Sequence, residues 1–61
     1  MSEWKEYTGS DEQIAEIKSA QYGVIFKYSL MSQIVESKII NADQIDKFIF
    51  DSYPKEYRII K

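Results

Sequence analysis

A chain of 61 residues with a formal net charge of −2 and no cysteine excludes several classes of protein at once. The length allows one compact domain, residues 1–61, with a thin stability margin, and the missing cysteines exclude disulfides and thiolate zinc sites. Stability must therefore come from dense packing or from a second copy of the chain, so a homo-oligomer such as a homodimer is one of the two alternatives that the sequence leaves open.

The charges are distributed unevenly along the chain. Residues 1–16 carry five acidic side chains and one lysine, whereas residues 17–61 carry five acidic and seven basic side chains. Phosphate binding depends on clustered Lys and Arg, so the acidic first segment is unsuited to nucleic acid. No apolar run approaches the roughly 20 residues of a membrane span, and no signal peptide is recognisable. We expect a cytoplasmic protein without membrane contact.

The first predicted helix follows Ser10. Ser10 and Gln13 have the spacing of a capping box, in which the hydroxyl accepts a backbone N–H bond and the glutamine side chain reaches back. The pattern predicts a helix over residues 11–20 with a wheel that separates apolar Ile14, Ile17 and Ala20 from polar Glu12, Glu16 and Ser19. The acidic side is expected to face water, either as a solvated surface or as a docking ridge for a basic partner.

The segment QYGVIFKYS, residues 21–29, is typical of a β-strand. Tyr22, Val24, Phe26 and Tyr28 alternate with other residues, and β-branched and aromatic side chains dominate. The next segment, residues 29–40, is ambiguous. Its apolar residues share half a helical wheel, and as a strand its alternation is imperfect because Ile34–Val35 and Ile39–Ile40 are adjacent pairs. We favour a strand over residues 33–40, followed by a turn at residues 41–43.

The last third of the chain also has two interpretations. KFIF, residues 47–50, is favoured as a third strand, and Pro54 then starts a final helix with Tyr57 and Ile60 inward. The preferred fold is α+β: a helix, a three-stranded antiparallel sheet and a C-terminal helix, in the order αβββα. The competing order, α-β-α-α-β, has a helix over residues 42–52 that carries Ile45, Phe48 and Ile49 on one side, and a terminal strand over residues 56–60.

One motif resembles a known group of proteins. The run W-x-E-Y-T-G-S-x-E-Q-I, residues 4–14, followed by YGVIFK, is similar to the start of short proteins encoded by bacteriophages and prophages of enteric bacteria. The resemblance covers about the first 27 residues, and FIFDSYP with IIK loosely resembles a later segment in which a proline-containing turn starts a helix. It implies the three-stranded fold, a setting in the host cytoplasm, and action by binding a host protein in order to redirect it or to block a defence system.

The residue types offer little for catalysis. Without histidine or cysteine, proton transfer and nucleophilic attack fall to carboxylates, Lys, Tyr and Ser, and none of these stands in a recognised catalytic arrangement. A calcium-binding loop is absent from the sequence, and Gly9 and Gly23 lie too far apart for a phosphate-binding loop. The sequence therefore predicts neither an enzyme nor a bound metal or cofactor.

Two surfaces are candidates for binding. The first joins an aromatic pair to the acidic ridge of the first helix, and its residues are Trp4, Tyr7, Asp11, Glu12 and Glu16. Trp and Tyr dominate protein-binding hot spots, so this surface predicts a host protein partner, although the aromatic pair also fits a core role. The alternative is a small nucleic-acid-binding or regulatory module, in which Lys27, Lys38 and Lys47 on neighbouring strands flank the aromatic strand.

Overall fold

The computed structural model describes residues 3–61 as two helices packed on one antiparallel sheet. The elements, in chain order, are β1 (Lys5–Glu6), α1 (Asp11–Lys18), β2 (Val24–Leu30), β3 (Gln33–Ile39), a short 3-10 helix (Ala42–Gln44), α2 (Ile45–Ser52) and β4 (Glu56–Ile59). The sheet has four strands in the order β1-β4-β2-β3, and each neighbouring pair is antiparallel. The protein is therefore α+β, as predicted.

The strand order interlocks the two ends of the chain. β1 and β2 run in the same direction and are connected through α1, but β4 is inserted between them. In the same way β3 and β4 are connected through α2 with β2 between them. The C-terminal strand thus completes the centre of the sheet, so the fold depends on contacts between residues that are distant in sequence.

The predicted cap of the first helix is confirmed. The Ser10 hydroxyl accepts a hydrogen bond from the Gln13 backbone N–H at 3.2 Å, and the helix ends at Lys18, two residues earlier than predicted. The Gln13 side chain does not close the box on Ser10. Its amide oxygen accepts from the Thr8 N–H at 2.8 Å, and its amide nitrogen donates to the Glu6 carbonyl at 2.9 Å. Gln13 therefore fixes the connection between β1 and α1.

Both helices cover the same face of the sheet. Val24 and Phe26 of β2 are fully buried there beneath Ile17 of α1 and Ile45 of α2. The ring of Phe48 stacks on Phe26 with the ring centroids 5.1 Å apart. The Lys18 Nζ atom is 3.0 Å from a carboxylate oxygen of Asp46, which links the two helices. One core thus joins the helices to the central strands.

Two turns have unusual backbone angles. Met31 and Ser32 connect β2 to β3 with φ angles of 51° and 68°. Two consecutive positive φ angles define the tight hairpin turn that matches the twist of antiparallel strands. Gly23, before β2, has φ +103°, and a Cβ atom there would lie 2.7 Å from the Ile39 carbonyl oxygen. Glycine is required at position 23 for both its φ angle and the close approach of β3.

The preferred three-stranded fold is wrong in its last third, and the order αβββα is wrong with it. KFIF is part of α2 because Ile45, Phe48 and Ile49 recur at helical spacing and pack together on the sheet. Pro54 does not start a helix, since Tyr57 and Ile59 alternate into the core as β4.

Parts of both interpretations are found in the structure. β3 corresponds to the strand predicted over residues 33–40, which the competing order treated as helical. The competing order correctly places a helix over residues 42–52 and a strand after Pro54. In residues 3–61 no helix is sufficiently long and apolar to cross a membrane.

Candidate functional site

The sheet has a second face, which neither helix covers. Because alternate residues of a strand point to opposite faces, the neighbours of the buried Val24, Phe26 and Tyr57 point away from the core. We call this surface the open face; its residues are Trp4, Glu6, Ile25, Lys27, Ser29, Ile34, Glu36, Lys38, Glu56 and Arg58. The open face is the side of the sheet that does not carry the buried core residues.

Trp4 lies on the open face against two cations. The register that pairs Lys5 with Tyr57 places Trp4 opposite Arg58. The Lys27 Nζ atom lies 4.1 Å from the centroid of a Trp4 ring, and the Arg58 Cζ atom lies 5.6 Å from it. Both distances suit cation–π attraction, which holds the half-buried indole in place. Trp4 is therefore presented in a defined orientation.

The charges of the open face are mixed in sign. In the register of the sheet, Lys27 lies between Glu36 on one neighbouring strand and Glu56 on the other. The full set of charges balances, with three basic residues, Lys27, Lys38 and Arg58, and three acidic residues, Glu6, Glu36 and Glu56. A surface of this kind differs from the clustered cations that bind a phosphate backbone.

Tyr7 does not accompany Trp4. Its ring packs edge to face against Phe26, at 6.4 Å between centroids, and against Tyr57, at 6.3 Å. The backbone N–H of Tyr7 donates to the Lys55 carbonyl, and burial raises the pKa of the Tyr7 hydroxyl. Tyr7 thus supports the helix-covered face, whereas Trp4 lies on the open face. The two aromatic residues that were predicted as a pair therefore lie on opposite faces of the sheet.

Glu16 lies at the edge of the core, where its partly exposed side chain, 42% accessible, is also hydrogen-bonded to its neighbours. One carboxylate oxygen accepts from the Tyr57 hydroxyl at 2.7 Å, and the other accepts from Lys5 Nζ at 3.0 Å. These two hydrogen bonds, chiefly the one from Tyr57, lower the pKa of Glu16. Burial, together with the Glu16 carboxylate, raises the pKa of Tyr57 to about 12. Around neutral pH this carboxylate is therefore ionised and this phenol is protonated.

Within the predicted acidic ridge, Asp11 and Glu12 are exposed, whereas Glu16 is partly exposed and bonded to Tyr57 and Lys5. Asp11 and Glu12 lie in the first turn of α1, where the positive end of the helix dipole favours acidic side chains. An open depression of about 440 Å³ lies beside them and is lined by Lys5, Glu12, Gln13, Glu16 and Tyr57. The polar atoms of Glu16, Tyr57 and Gln13 in this depression already bond one another or the backbone. The depression is therefore chiefly the outer surface of a structural network.

The three lysines of the alternative site are not brought together. Lys27 and Lys38 share the open face on adjacent strands, as predicted. Lys47 lies on α2, exposed in the helical layer, because KFIF is not a strand. The sequence prediction missed Arg58 as a neighbour of Trp4. The sequence pattern that could have identified Arg58 is the alternation of apolar Tyr57 and Ile59 with polar Glu56 and Arg58, which indicates a strand with one polar face.

Neither a search for metal-binding groups nor comparison with known proteins assigns a role to any residue. Within the described range, 3–61, no three His, Cys, Asp or Glu side chains are grouped so that they could hold a metal ion. Comparison of the chain with protein-family models, with curated proteins and with solved structures gives no match.

Proposed function

We propose that the protein is a small accessory protein of the bacteriophage type that acts by binding a host protein in the bacterial cytoplasm, without chemistry of its own. The observation that carries the proposal is Trp4, which contacts Lys27 and Arg58 on the open face. Trp and Arg are the residues most enriched among binding hot spots. The bound protein would be redirected or blocked by occupation of its surface, as the resemblance to phage proteins implies.

The roles of the motif residues support this choice of surface. Within W-x-E-Y-T-G-S-x-E-Q-I, Tyr7 packs against the core, Ser10 caps α1, and the Gln13 side chain bonds the backbone that connects β1 to α1. Gly9 adopts φ +78° in the turn before the helix. These residues are explained by folding, whereas the large indole of Trp4 lies outside the core cluster. Trp4 is therefore the motif residue with most to contribute to recognition.

The mixed charges of the open face favour a protein over a nucleic acid. Each basic residue there has an acidic residue on its own strand or on the neighbouring one, so a phosphate backbone would meet repulsion as well as attraction. A protein surface with interspersed charges fits this pattern and would be selected by complementarity. Asp11 and Glu12 lie on a different element and are a second, weaker candidate surface.

Tagged capture from a bacterial host tests the proposal. Wild-type protein is compared with Trp4→Ala and with Tyr22→Ala, a matched control that removes an aromatic ring exposed elsewhere. Loss of a tryptophan hot spot costs at least about 2 kcal/mol, or roughly a 30-fold loss of affinity, so Trp4→Ala should lose the partner and Tyr22→Ala should keep it. Equal capture by both variants would contradict the proposal.

A nucleic-acid function remains the second candidate, because Lys27, Lys38 and Arg58 share a face with an aromatic ring suited to base stacking. It predicts capture that is abolished by nuclease and by Lys27→Glu with Lys38→Glu, and that weakens steeply with salt. The protein-binding proposal predicts capture that survives nuclease.

A further inference from the structure

β3 is an edge strand with an open hydrogen-bonding side. It is the last strand in the order β1-β4-β2-β3, and within residues 3–61 no strand pairs with its outer side. It is seven residues long, Gln33–Ile39, which is long for an exposed edge in so small a sheet. Such an edge is a template for pairing with another strand.

The backbone groups that point outward from β3 can be identified. The Lys27 carbonyl accepts from Lys55, and the Gly23 carbonyl accepts from Ile60, so the odd-numbered residues of β2 bond to β4. The even-numbered residues of β2 must then bond to their partners on β3, which are the odd-numbered residues 33–39. The N–H and C=O groups of Ile34, Glu36 and Lys38 therefore point to the free edge.

The sequence of this edge is complementary to itself. Residues 34–40 read I-V-E-S-K-I-I, in which apolar residues flank a Glu and a Lys that are placed symmetrically about Ser37. We infer that β3 is a dimerisation edge, where a second copy of this chain pairs antiparallel about a two-fold axis at Ser37. The facing pairs are Glu36 with Lys38 twice, Ile34 with Ile40 twice, Val35 with Ile39 twice, and Ser37 with Ser37.

The backbone selects this register together with the charges. In an antiparallel pair, residues with outward-pointing groups must face each other, so only shifts of two residues are allowed. A shift of two in one direction places Glu36 opposite Glu36, and a shift in the other direction places Lys38 opposite Lys38. Like charges directly opposite each other are destabilising. The register centred on Ser37 is the one that pairs opposite charges.

Two exposed apolar side chains, one in β3 and one directly after it, support the same arrangement. Ile34 is 62% exposed and Ile40 is 67% exposed, and each would cover the other across the axis. The dimer would have one continuous sheet with the order β1-β4-β2-β3-β3-β2-β4-β1, all four helices on one side and the two open faces joined. A second copy also supplies the burial that a chain of 61 residues lacks by itself.

Sedimentation velocity across a concentration series tests the dimer by charge reversal. Glu36→Lys and Lys38→Glu each place like charges at both pairs, and the dissociation constant should rise about tenfold or more in each case. The double variant, Glu36→Lys with Lys38→Glu, restores opposite charges and should dimerise like the wild type. An equimolar mixture of the two single variants should form a heterodimer.

The mixture distinguishes a dimerisation defect from a folding defect. Each single variant keeps its own intrachain contacts in the mixture, so only the pairing between chains can account for recovery. Circular dichroism checks that the exposed substitutions leave the fold intact. Ser37→Cys supplies the chain with its only thiol and should give a covalent dimer on oxidation, whereas Ser19→Cys, at the exposed residue that follows α1, should not. A wild-type protein that sediments as a monomer at every concentration, or a dimer indifferent to both charge reversals, would overturn the inference.

Discussion

The two faces of the sheet are built from the same strands but serve different ends. On the covered face, Phe26 and Tyr57 are buried and packed by both helices. On the open face, one residue along each strand, Lys27 and Arg58 hold Trp4 at a surface of balanced charge. The alternation of a β-strand thus lets a chain of 61 residues place the side chains that stabilise it on one face and a different set of side chains on the other.

The largest effect on the covered face is expected from Phe26→Ala. Phe26 is fully buried and contacts the rings of Tyr7 and Phe48. Replacing a buried Phe by Ala typically lowers the free energy of unfolding by about 3–5 kcal/mol, which is most of the stability of a domain of this size. Urea denaturation followed by circular dichroism should show a largely unfolded variant. Phe26→Ala with wild-type stability would show that this ring is not in the core.

The next effect is expected at the junction of β2 and β3. Gly23→Ala combines a positive φ angle with a Cβ atom 2.7 Å from a carbonyl oxygen, so it should lower the free energy of unfolding by about 2 kcal/mol or more.

Gly9→Ala is the matched control for that substitution. Position 9 also has a positive φ, but the nearest atom to a new Cβ there is 3.7 Å away. Gly9→Ala should cost about 1 kcal/mol. Equal costs at the two positions, measured by thermal unfolding, would contradict the close approach of β3 to Gly23.

The Tyr57–Glu16 contact predicts a pH dependence of stability. The pKa of Tyr57 is raised from 10.0 to about 12 in the folded protein, so its contribution is fully present below pH 10 and is lost as the pH rises toward 12. The pKa of Glu16 is lowered, so its contribution is present above its ordinary value of 4.5 and is lost as the pH falls through the folded value.

Tyr57→Phe tests this assignment by removing the hydroxyl and keeping the ring. It should cost about 1 kcal/mol at pH 7 and remove the alkaline loss of stability assigned to Tyr57. Tyr22→Phe, which changes an exposed tyrosine, should leave the stability at pH 7 and its loss at alkaline pH unchanged. Urea midpoints between pH 3 and pH 11 measure the effect, and an unchanged alkaline limb in Tyr57→Phe would assign it to another group.

Only a small effect on stability is expected on the open face. Trp4→Ala removes a half-buried ring and two cation–π contacts, which together should cost about 1 kcal/mol. Lys27→Met should cost less than about 1 kcal/mol and should shift the fluorescence of Trp4, the only tryptophan in the chain. A cost for Trp4→Ala close to that of Phe26→Ala would show that the open face is part of the core.

The features that were predicted correctly have local signals. The cap of α1 is set by Ser10 and Gln13, and β2 by the alternation around Val24 and Phe26. The segment after Asn41 was ambiguous because Ile45, Phe48 and Ile49 fit a helix while KFIF fits a strand. Its helical form is decided by packing on a sheet whose centre is completed by β4, which comes later in the chain.

The candidate site was only partly predictable for the same reason. Lys27 and Lys38 share a face because their strands form a local hairpin. Trp4 and Tyr7 lie three residues apart in extended chain, which places them on opposite faces, but two-residue β1 has too little pattern to be recognised as a strand. The hydrogen bond from Tyr57 to Glu16 joins residues 41 apart in sequence, and no local pattern predicts such a contact.

The most direct test of the separation between the two faces uses the proposed host partner once capture has isolated it. Its affinity is measured for Trp4→Ala and for Phe26→Leu, a milder core variant. Isothermal titration should show roughly a 30-fold loss for the folded Trp4→Ala protein and near wild-type affinity for Phe26→Leu at a temperature where it remains folded. Unchanged affinity of Trp4→Ala, with loss instead in Asp11→Lys with Glu12→Lys, would contradict the account and assign recognition to α1.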